Sequence, residues 1–238
     1  MKFKTSISKM TDDDHIIRGE ELSKIMEGSF ANAIFLILKG KNPTEVESKI
    51  FETMLVSIID HGMGTTSSMA ARFVASAGNS VNSAIGTGIL ALGDYHGGAI
   101  EKAMEQLKDV INAKDFVKKA LDNKQTIYGF GHKIYKDEDP RTQQILSLCQ
   151  ELKYQSKYID LVQEIEEEIE SQKGKKIILN IDGLIAAILL EMGFTSNVGK
   201  AFFVIGRTPG LAAQVIEELE NEPPVRRIDE SEITYEPR

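Results

Sequence analysis

Apolar residues along the chain recur mostly three and four positions apart, and glycine, proline or polar clusters separate the stretches that carry them. That spacing gathers the apolar side chains of each stretch on one helical face and predicts an all-α protein. Helices are expected over residues 20–39, 79–92, 98–113, 115–123, 182–192 and 197–206, with a long acidic one from 140 to about 172. Another starts in "GKNPTEVESKIFETMLVSII", with Asn42 as its cap, Pro43 at the first position and Glu45 three beyond the cap. "RTPGLAAQVIEELENE" begins again at Thr208 and Pro209, so a kink or break is expected there. Strands are confined to short stretches near 2–7 and 15–18. The tail "EPPVRRIDESEITYEPR" reads as extended chain lying on a surface, its own or a partner's. The charged stretch 113–176 is expected to form a smaller helical lobe set into a large helical domain made of 1–112 and 177–238.

With 238 residues, 42% of them hydrophobic, the chain can bury a real core as one large domain or two small ones. Its formal charge of -8 argues against nucleic acid as a partner, and "EIEEEIE" at 164–170 reads as a solvated helix face. Any anionic substrate must therefore be drawn to a local basic focus, because the field of the whole molecule repels it. The lone Cys149 excludes an internal disulfide and a cysteine-based metal cage, which fits a reducing compartment. Its setting in "QILSLCQEL" is that of a buried helix residue. Neither a signal peptide nor a membrane span is visible, so a cytoplasmic protein with no membrane partner is expected.

Of the four histidines, His15 in "DDDHIIRG" reads as a surface residue, whereas His61, His96 and His132 sit in glycine-rich or polar contexts at helix ends. Each of the three, taken singly, fits a structural role. His96 precedes Gly97 and Gly98 at the mouth of a helix, where an imidazole and backbone N–H groups can aim at one anionic or carbonyl oxygen. An ordinary helix start would read the same way. Asp139 can cap a helix beginning at Pro140, which puts Arg141 where free N–H groups already favour an anion and a guanidinium can grip a carboxylate. A capped helix with a surface arginine fits equally. Asp182 opens the apolar "IDGLIAAILLEMG" either as a cap or as an inward carboxylate among Ile178, Leu179, Ile181 and Leu184. There desolvation would raise its pKa and suit it to act as a base. Arg207 follows Gly206 and either needs a carboxylate, if buried, or reaches water past the helix end. The three histidines and Asp182 are also metal-ligand types, but histidine spacings of 35 and 36 match no local metal motif, and no metal is expected.

Five segments, "IIDHG", "HGGA", "GFGHKIYKDEDPR", "LNIDG" and "GRTPGLAAQ", resemble those of the citrate synthase superfamily in its order, and the resemblance spans roughly residues 16–227. The pattern is most similar to the short citryl-CoA lyase module found alone or at the end of ATP-citrate lyase. One helix here joins the early segment to "LVSIIDHG", where citrate synthases carry a long helical insert. Against that, His96 is the residue expected of a synthase. The resemblance implies a citrate synthase-like helical fold and cleavage of citryl-CoA to acetyl-CoA and oxaloacetate, or the reverse. The alternative is a citrate synthase that also hydrolyses the thioester.

In that reading Asp182 is the base, His96 donates to the thioester oxygen and His132 to the ketone or alkoxide. His61, Arg141, Arg207 and Arg226 hold the carboxylates. "PVRRID" lacks the family's proline between two arginines, which leaves the choice between Arg226 and Arg227 open. Lys136 faces coenzyme A phosphates, with Gly129 and Gly131 in the same coenzyme A site and Lys133 a weaker candidate. The resemblance implies no permanently bound cofactor, coenzyme A entering as the substrate thioester. It also implies a homodimer or higher homo-oligomer, and a separate citryl-CoA ligase is the candidate partner.

Overall fold

The computed structural model describes residues 2–237. A small antiparallel sheet comes first, built from β1 (Ser8–Met10), β2 (His15–Ile17) and β3 (Glu20–Glu21), with Ser8 opposite Ile17 and Ile16 opposite Glu21. Helices follow: α1 (Leu22–Ile25), α2 (Phe30–Lys39), α3 (Glu45–Ser57), α4 (Thr66–Ser76), α5 (Val81–Leu90) and α6 (Ala99–Leu107). The rest are α7 (Ala113–Asp122), α8 (Pro140–Glu151), α9 (Lys157–Lys173), α10 (Ile181–Glu191) and α11 (Asn197–Asn221). Among the described residues no helix is long and apolar enough to cross a membrane.

Two compact units divide the chain. One runs to Ser57 and resumes over Ala99–Phe203; the other takes Ile58–Gly98 and resumes at Val204. Residues 113–176 lie wholly within the first unit. Its core is aromatic at one end, where Phe51 meets Phe35 and Phe202 edge-on at centroid distances of 5.1 and 5.2 Å and stacks on Phe194. Elsewhere in this unit α10, buried from Gly183 to Leu189, packs against α6 and α9. The helical spacing of α9 works as its sequence implies: Ile159, Val162, Ile165 and Ile169 are buried and Glu164, Glu167 and Glu170 are exposed.

The second unit is built from smaller residues. Ala71 and Ala75 on α4, Ala84 on α5, and Leu211 and Val215 on α11 form its core. Small side chains let these helices approach closely: a Cβ at Gly88 would press on Ala71 and Leu211 at 3.1 Å. The fold is all-α, as the apolar spacing predicts, with the short sheet and an isolated antiparallel bridge between Phe130 and Leu179 as its β features among the described residues.

Several boundaries differ from expectation, each for a local reason. The stretch 20–39 is not one helix, because Ser29 accepts from the Asn32 N–H and starts α2 afresh after a single turn of α1. Thr44 rather than Asn42 caps α3, exchanging bonds with Glu47: the Thr44 N–H donates to the Glu47 carboxylate at 2.8 Å and Glu47 N–H to Thr44 Oγ1 at 3.2 Å. The long acidic helix is two, since Lys153 takes φ 53 and Ser156 caps α9 through the Ile159 N–H. Helix α4 was not expected; its buried positions include Ser67, Ser68 and Arg72, so it lacks an apolar stripe. The first strand lies at Ser8–Met10 rather than within 2–7.

Pro209 sits inside α11 and no break occurs there. Two contacts hold the chain helical past it. Arg207 Nε donates to the Ile58 carbonyl at 2.8 Å, and Gly210 lies so close to Ile59 and Asp60 that a Cβ would overlap the Ile59 carbonyl oxygen. Tertiary packing thus outweighs the missing N–H.

The ring cluster gives a direct test of where the first unit's core lies. Phe51 is fully buried, so Phe51→Ala should lower unfolding free energy by about 3–5 kcal/mol in denaturant titration. A loss below about 1 kcal/mol would mean that the cluster is not the core.

Candidate active site

The loop bearing His132 is pinned to the backbone that leads into α10. Gly131 N–H donates to the Ile178 carbonyl at 2.7 Å, and Asn180 N–H donates to the Gly129 carbonyl at 3.0 Å. The Asn180 side-chain amide adds a bond to the Gly131 carbonyl at 2.8 Å. Gly129 has φ 90, and a Cβ there would run into the backbone of Gly183; a Cβ on Gly183 would overlap the Gly129 carbonyl in turn. Neither position tolerates a side chain. Gly129, expected from the resemblance to belong to a coenzyme A site with Gly131, therefore has a structural reason to be glycine: it lets the His132 loop lie against the start of α10, while Gly131 takes φ 84.

Asn180 caps that helix, its Oδ1 accepting from the Asp182 N–H at 3.0 Å and the Gly183 N–H at 3.1 Å. Capping is thus not the task of the Asp182 side chain, which lies half-buried in the first turn. His132 Nδ1 accepts from the Ile134 and Tyr135 N–H groups at 3.2 and 3.1 Å, so the neutral ring carries its proton on Nε2 and donates from there. Tyr135 stacks on the imidazole, with ring centroids 4.6 Å apart. Lys136 donates to the His132 carbonyl at 2.9 Å, and Lys133 is exposed.

Asp139 caps α8 as its sequence implies, and it does more. Its buried carboxylate accepts from Arg141 N–H and Nε through Oδ1 at 3.1 and 3.0 Å, and from Arg141 Nη2 and the Ile181 N–H through Oδ2 at 2.8 and 3.2 Å. One carboxylate therefore joins the N-termini of α8 and α10. Burial pushes Asp139 up, but the Arg141 guanidinium and the two backbone donors outweigh it and hold Asp139 below the usual carboxylate range. Arg141, Asp182 and His132 all belong to the first unit.

His61, His96, Arg207 and Arg226 belong to the second. His96 ends a turn in which its N–H donates to the Gly93 carbonyl at 3.1 Å, and Gly97 follows with φ 87. Its Nε2 lies 2.8 Å from the hydroxyl of Ser67, a fully buried residue in the first turn of α4. Burial first, then the positive charge of Arg207 and then His61, holds His96 below its ordinary pKa and favours the neutral ring. When Ser67 donates to Nε2, the ring proton sits on Nδ1 and that edge becomes the donor.

Arg207 does not reach water past a helix end, as one sequence reading allowed. It is 3% exposed within α11 and bonded to Ile58, two residues before Asp60 and three before His61. Asp60 accepts from the Gly62 N–H at 2.8 Å, with Gly62 at φ 81, and this turn presents an exposed His61. Arg226 pairs with Glu218 and Glu222, both at 2.8 Å, and Arg227 is exposed.

Ser67 and Asn180 were missed as candidates from the sequence. Ser67 is one of four consecutive hydroxyl residues in "GTTSSMAAR", and nothing in that run distinguishes the one that meets a histidine. Asn180 had a readable signal: it stands two residues before Asp182 with an apolar helix behind it, where a cap belongs. Among the described residues no group of three or more His, Cys, Asp or Glu is arranged as metal ligands. What the two sets supply is neutral imidazole donors, one carboxylate at a helix start, and guanidinium groups with local acceptors.

Comparison with known proteins places this geometry. The model of the citrate synthase C-terminal domain matches residues 6–228. The citrate synthase of Haloferax volcanii is 30% identical over 237 residues, which cover 94% of this chain and 60% of that protein, so the chain spans less than two thirds of that relative. The structure of citryl-CoA lyase from Hydrogenobacter thermophilus matches with a TM-score of 0.95 at 46% identity, over 99% of this chain and 95% of that one. ATP citrate lyase from Methanothrix soehngenii, solved with citrate and coenzyme A, matches 100% of this chain and 42% of that one with a TM-score of 0.89; at 23% identity it speaks for the fold alone. A domain match across nearly the whole chain, on the fold and local geometry described above, makes the protein a member of the citrate synthase family.

Proposed function

We propose that the protein is a citryl-CoA lyase, cleaving citryl-CoA to acetyl-CoA and oxaloacetate. The observation that carries this reading is the likeness to the H. thermophilus citryl-CoA lyase along almost the full length of both chains. Local geometry supports the roles. In the condensing direction Asp182 takes a proton from the thioester methyl group, neutral His96 donates to the thioester oxygen, and the carbon attacks the ketone, whose oxygen receives the Nε2–H of His132. Cleavage is the reverse and starts from protonated Asp182 and a His132 that has given up its Nε2 hydrogen: the hydroxyl returns its proton to that Nε2, the carbon–carbon bond breaks, and Asp182 gives its proton to what becomes the methyl carbon.

Arg141, Arg207 and a tail arginine hold carboxylates, with His61 beside them. Coenzyme A is substrate rather than resident cofactor. Lys136 reaches its phosphates with the ammonium hydrogens not given to the His132 carbonyl. A homodimer or larger homo-oligomer, a citryl-CoA ligase as supplier of substrate, and a cytoplasmic setting belong to the same proposal.

A second reading, citrate synthase, is favoured by the likeness to the H. volcanii citrate synthase and by the presence of His96. It differs by one reaction, hydrolysis of citryl-CoA to citrate. Supplied citryl-CoA should yield acetyl-CoA and oxaloacetate without citrate; accumulation of citrate with stoichiometric free coenzyme A would give the protein to the second reading.

Asp182→Asn should reduce cleavage roughly a hundred- to ten-thousand-fold, and wild-type rates in that variant would remove Asp182 from the chemistry. Ser67→Ala should lower kcat about tenfold with little change in KM, since it alters the donor edge of His96 and not a carboxylate grip. A raised KM at constant kcat would contradict that role.

Stability should follow pH through His96. Its folded-state pKa is depressed, so the unfolded chain takes up a proton first as pH falls. The contribution is complete above about 6.5, the unfolded value, and is lost as pH drops through the lower folded value. Denaturant titrations at successive pH values should show stability declining below that point, with a shallower decline in His96→Gln. Identical slopes would exclude His96 as a source.

A further inference from the structure

We propose that Glu166 is a positioning residue for the chemistry of Asp182, a role that rests on the proposed function and is exerted through the backbone leading into α10. In sequence Glu166 belongs to the acidic run "EIEEEIE", which reads as a solvated face. Most of that run behaves so: Glu164, Glu167 and Glu170 are exposed, and Glu168 accepts from the Gln172 amide one turn on at 3.1 Å. Glu166 departs from it. It is half-buried, and its Oε1 accepts the N–H of Leu179 at 2.9 Å.

Leu179 needs that acceptor because of how its segment is paired. The bonds from Gly131 N–H to the Ile178 carbonyl and from Asn180 N–H to the Gly129 carbonyl flank the antiparallel bridge between Phe130 and Leu179. Two residues facing each other in such a bridge turn their own N–H and C=O groups outward. Among the described residues no third strand flanks the bridge, and Leu179 is 3% exposed. Without Glu166 its N–H would be a buried donor lacking a partner. The carboxylate stands in for the absent strand. Gln106 of α6 plays the same part for the other segment, accepting from the Tyr128 N–H at 3.0 Å and donating to the Thr126 carbonyl at 2.8 Å.

Of the two, Glu166 holds the side that carries the base. Leu179 is followed by Asn180, whose Oδ1 caps α10 through the Asp182 and Gly183 N–H groups. A shift of the Leu179 peptide is therefore handed to the first turn of α10 and to the Asp182 carboxylate. Misplacing a reacting group by about 1 Å costs about a hundredfold in rate. The arginines assigned to the substrate carboxylates do not bond to Glu166, so the loss should fall on kcat.

The test uses the full chain and reads amide hydrogen exchange at Leu179, kcat and KM for citryl-CoA, and the melting midpoint. Glu166→Leu removes the acceptor; it should speed Leu179 exchange and lower kcat about tenfold or more, with KM within about twofold of wild type. Glu166→Gln keeps an oxygen at the same reach and should stay near wild type in all of these. Ile159→Val trims the core at the other end of α9 and should lower the midpoint without lowering kcat. Should Glu166→Leu not fold, Glu166→Asp, one methylene shorter, should show the same ordering in milder form.

Wild-type kcat in Glu166→Leu, a loss confined to KM, or an equal loss of kcat in Ile159→Val overturns the assignment. So does a Glu166→Gln variant as slow as Glu166→Leu while Leu179 exchange stays normal. Wild-type protein that hydrolyses citryl-CoA to citrate overturns the lyase reading alone, since Asp182 serves both reactions and the same kcat comparison applies. Wild-type protein that does neither overturns the positioning role together with the reading beneath it, and hydrogen exchange alone then decides the bond from Leu179 to Glu166.

Discussion

Two glycines in backbone contact, Gly129 and Gly183, set the constraint on which the first unit's chemistry depends. The His132 loop can lie against the start of α10 only because neither residue carries a Cβ. Its four-residue neighbourhood of hydrogen bonds to Ile178 and Asn180 then leaves it little freedom. From this contact follow the orientation of His132, whose Nδ1 faces its own loop amides, and the placing of Asp182 just past a cap that does not need it. Close packing of backbone against backbone acts here as the reference from which side-chain geometry is measured.

The second constraint is the handling of charge. Arg72, Arg141 and Arg226 each pair with a carboxylate of their own unit, and Arg207 donates to a backbone carbonyl. In a chain of net charge -8 these groups do not create a broadly positive surface. A guanidinium whose charge is already half-compensated recognises an anion by the direction of its remaining hydrogens more than by long-range attraction. For Arg141 and Arg207 that would suit the proposed dicarboxylate site, where an anion must leave as well as bind.

Helices whose core side is aliphatic were legible in the sequence: α9 shows its buried Ile159, Val162, Ile165 and Ile169 at helical spacing, and α10 is apolar from Gly183 to Leu190. Helix α4 was not, because its inner face is made of serine, alanine and a paired arginine, and hydrophobic spacing cannot report a face held by hydrogen bonds and small-residue packing. The same blindness hid Ser67. Breaks were legible where a cap could be read, as at Asp139, and illegible where tertiary contacts decide. Pro209 is the clearest case, since the contacts that keep its helix whole come from Ile58 and Ile59, distant in sequence. The histidines, arginines and Asp182 were visible through their neighbours' chemistry. Their partners, Ser67, Glu218 and the second acceptor role of Asp139, required the folded chain.

Asp139 has an implication for how such a protein changes over generations. Its two oxygens serve donors from Arg141 on α8 and Ile181 on α10, so the openings of those helices share one buried anion. A substitution there cannot be repaired on one helix alone. A replacement of Asp139 would take the acceptor from the Arg141 guanidinium and from the Ile181 N–H at once, so its cost would fall on both helix starts together.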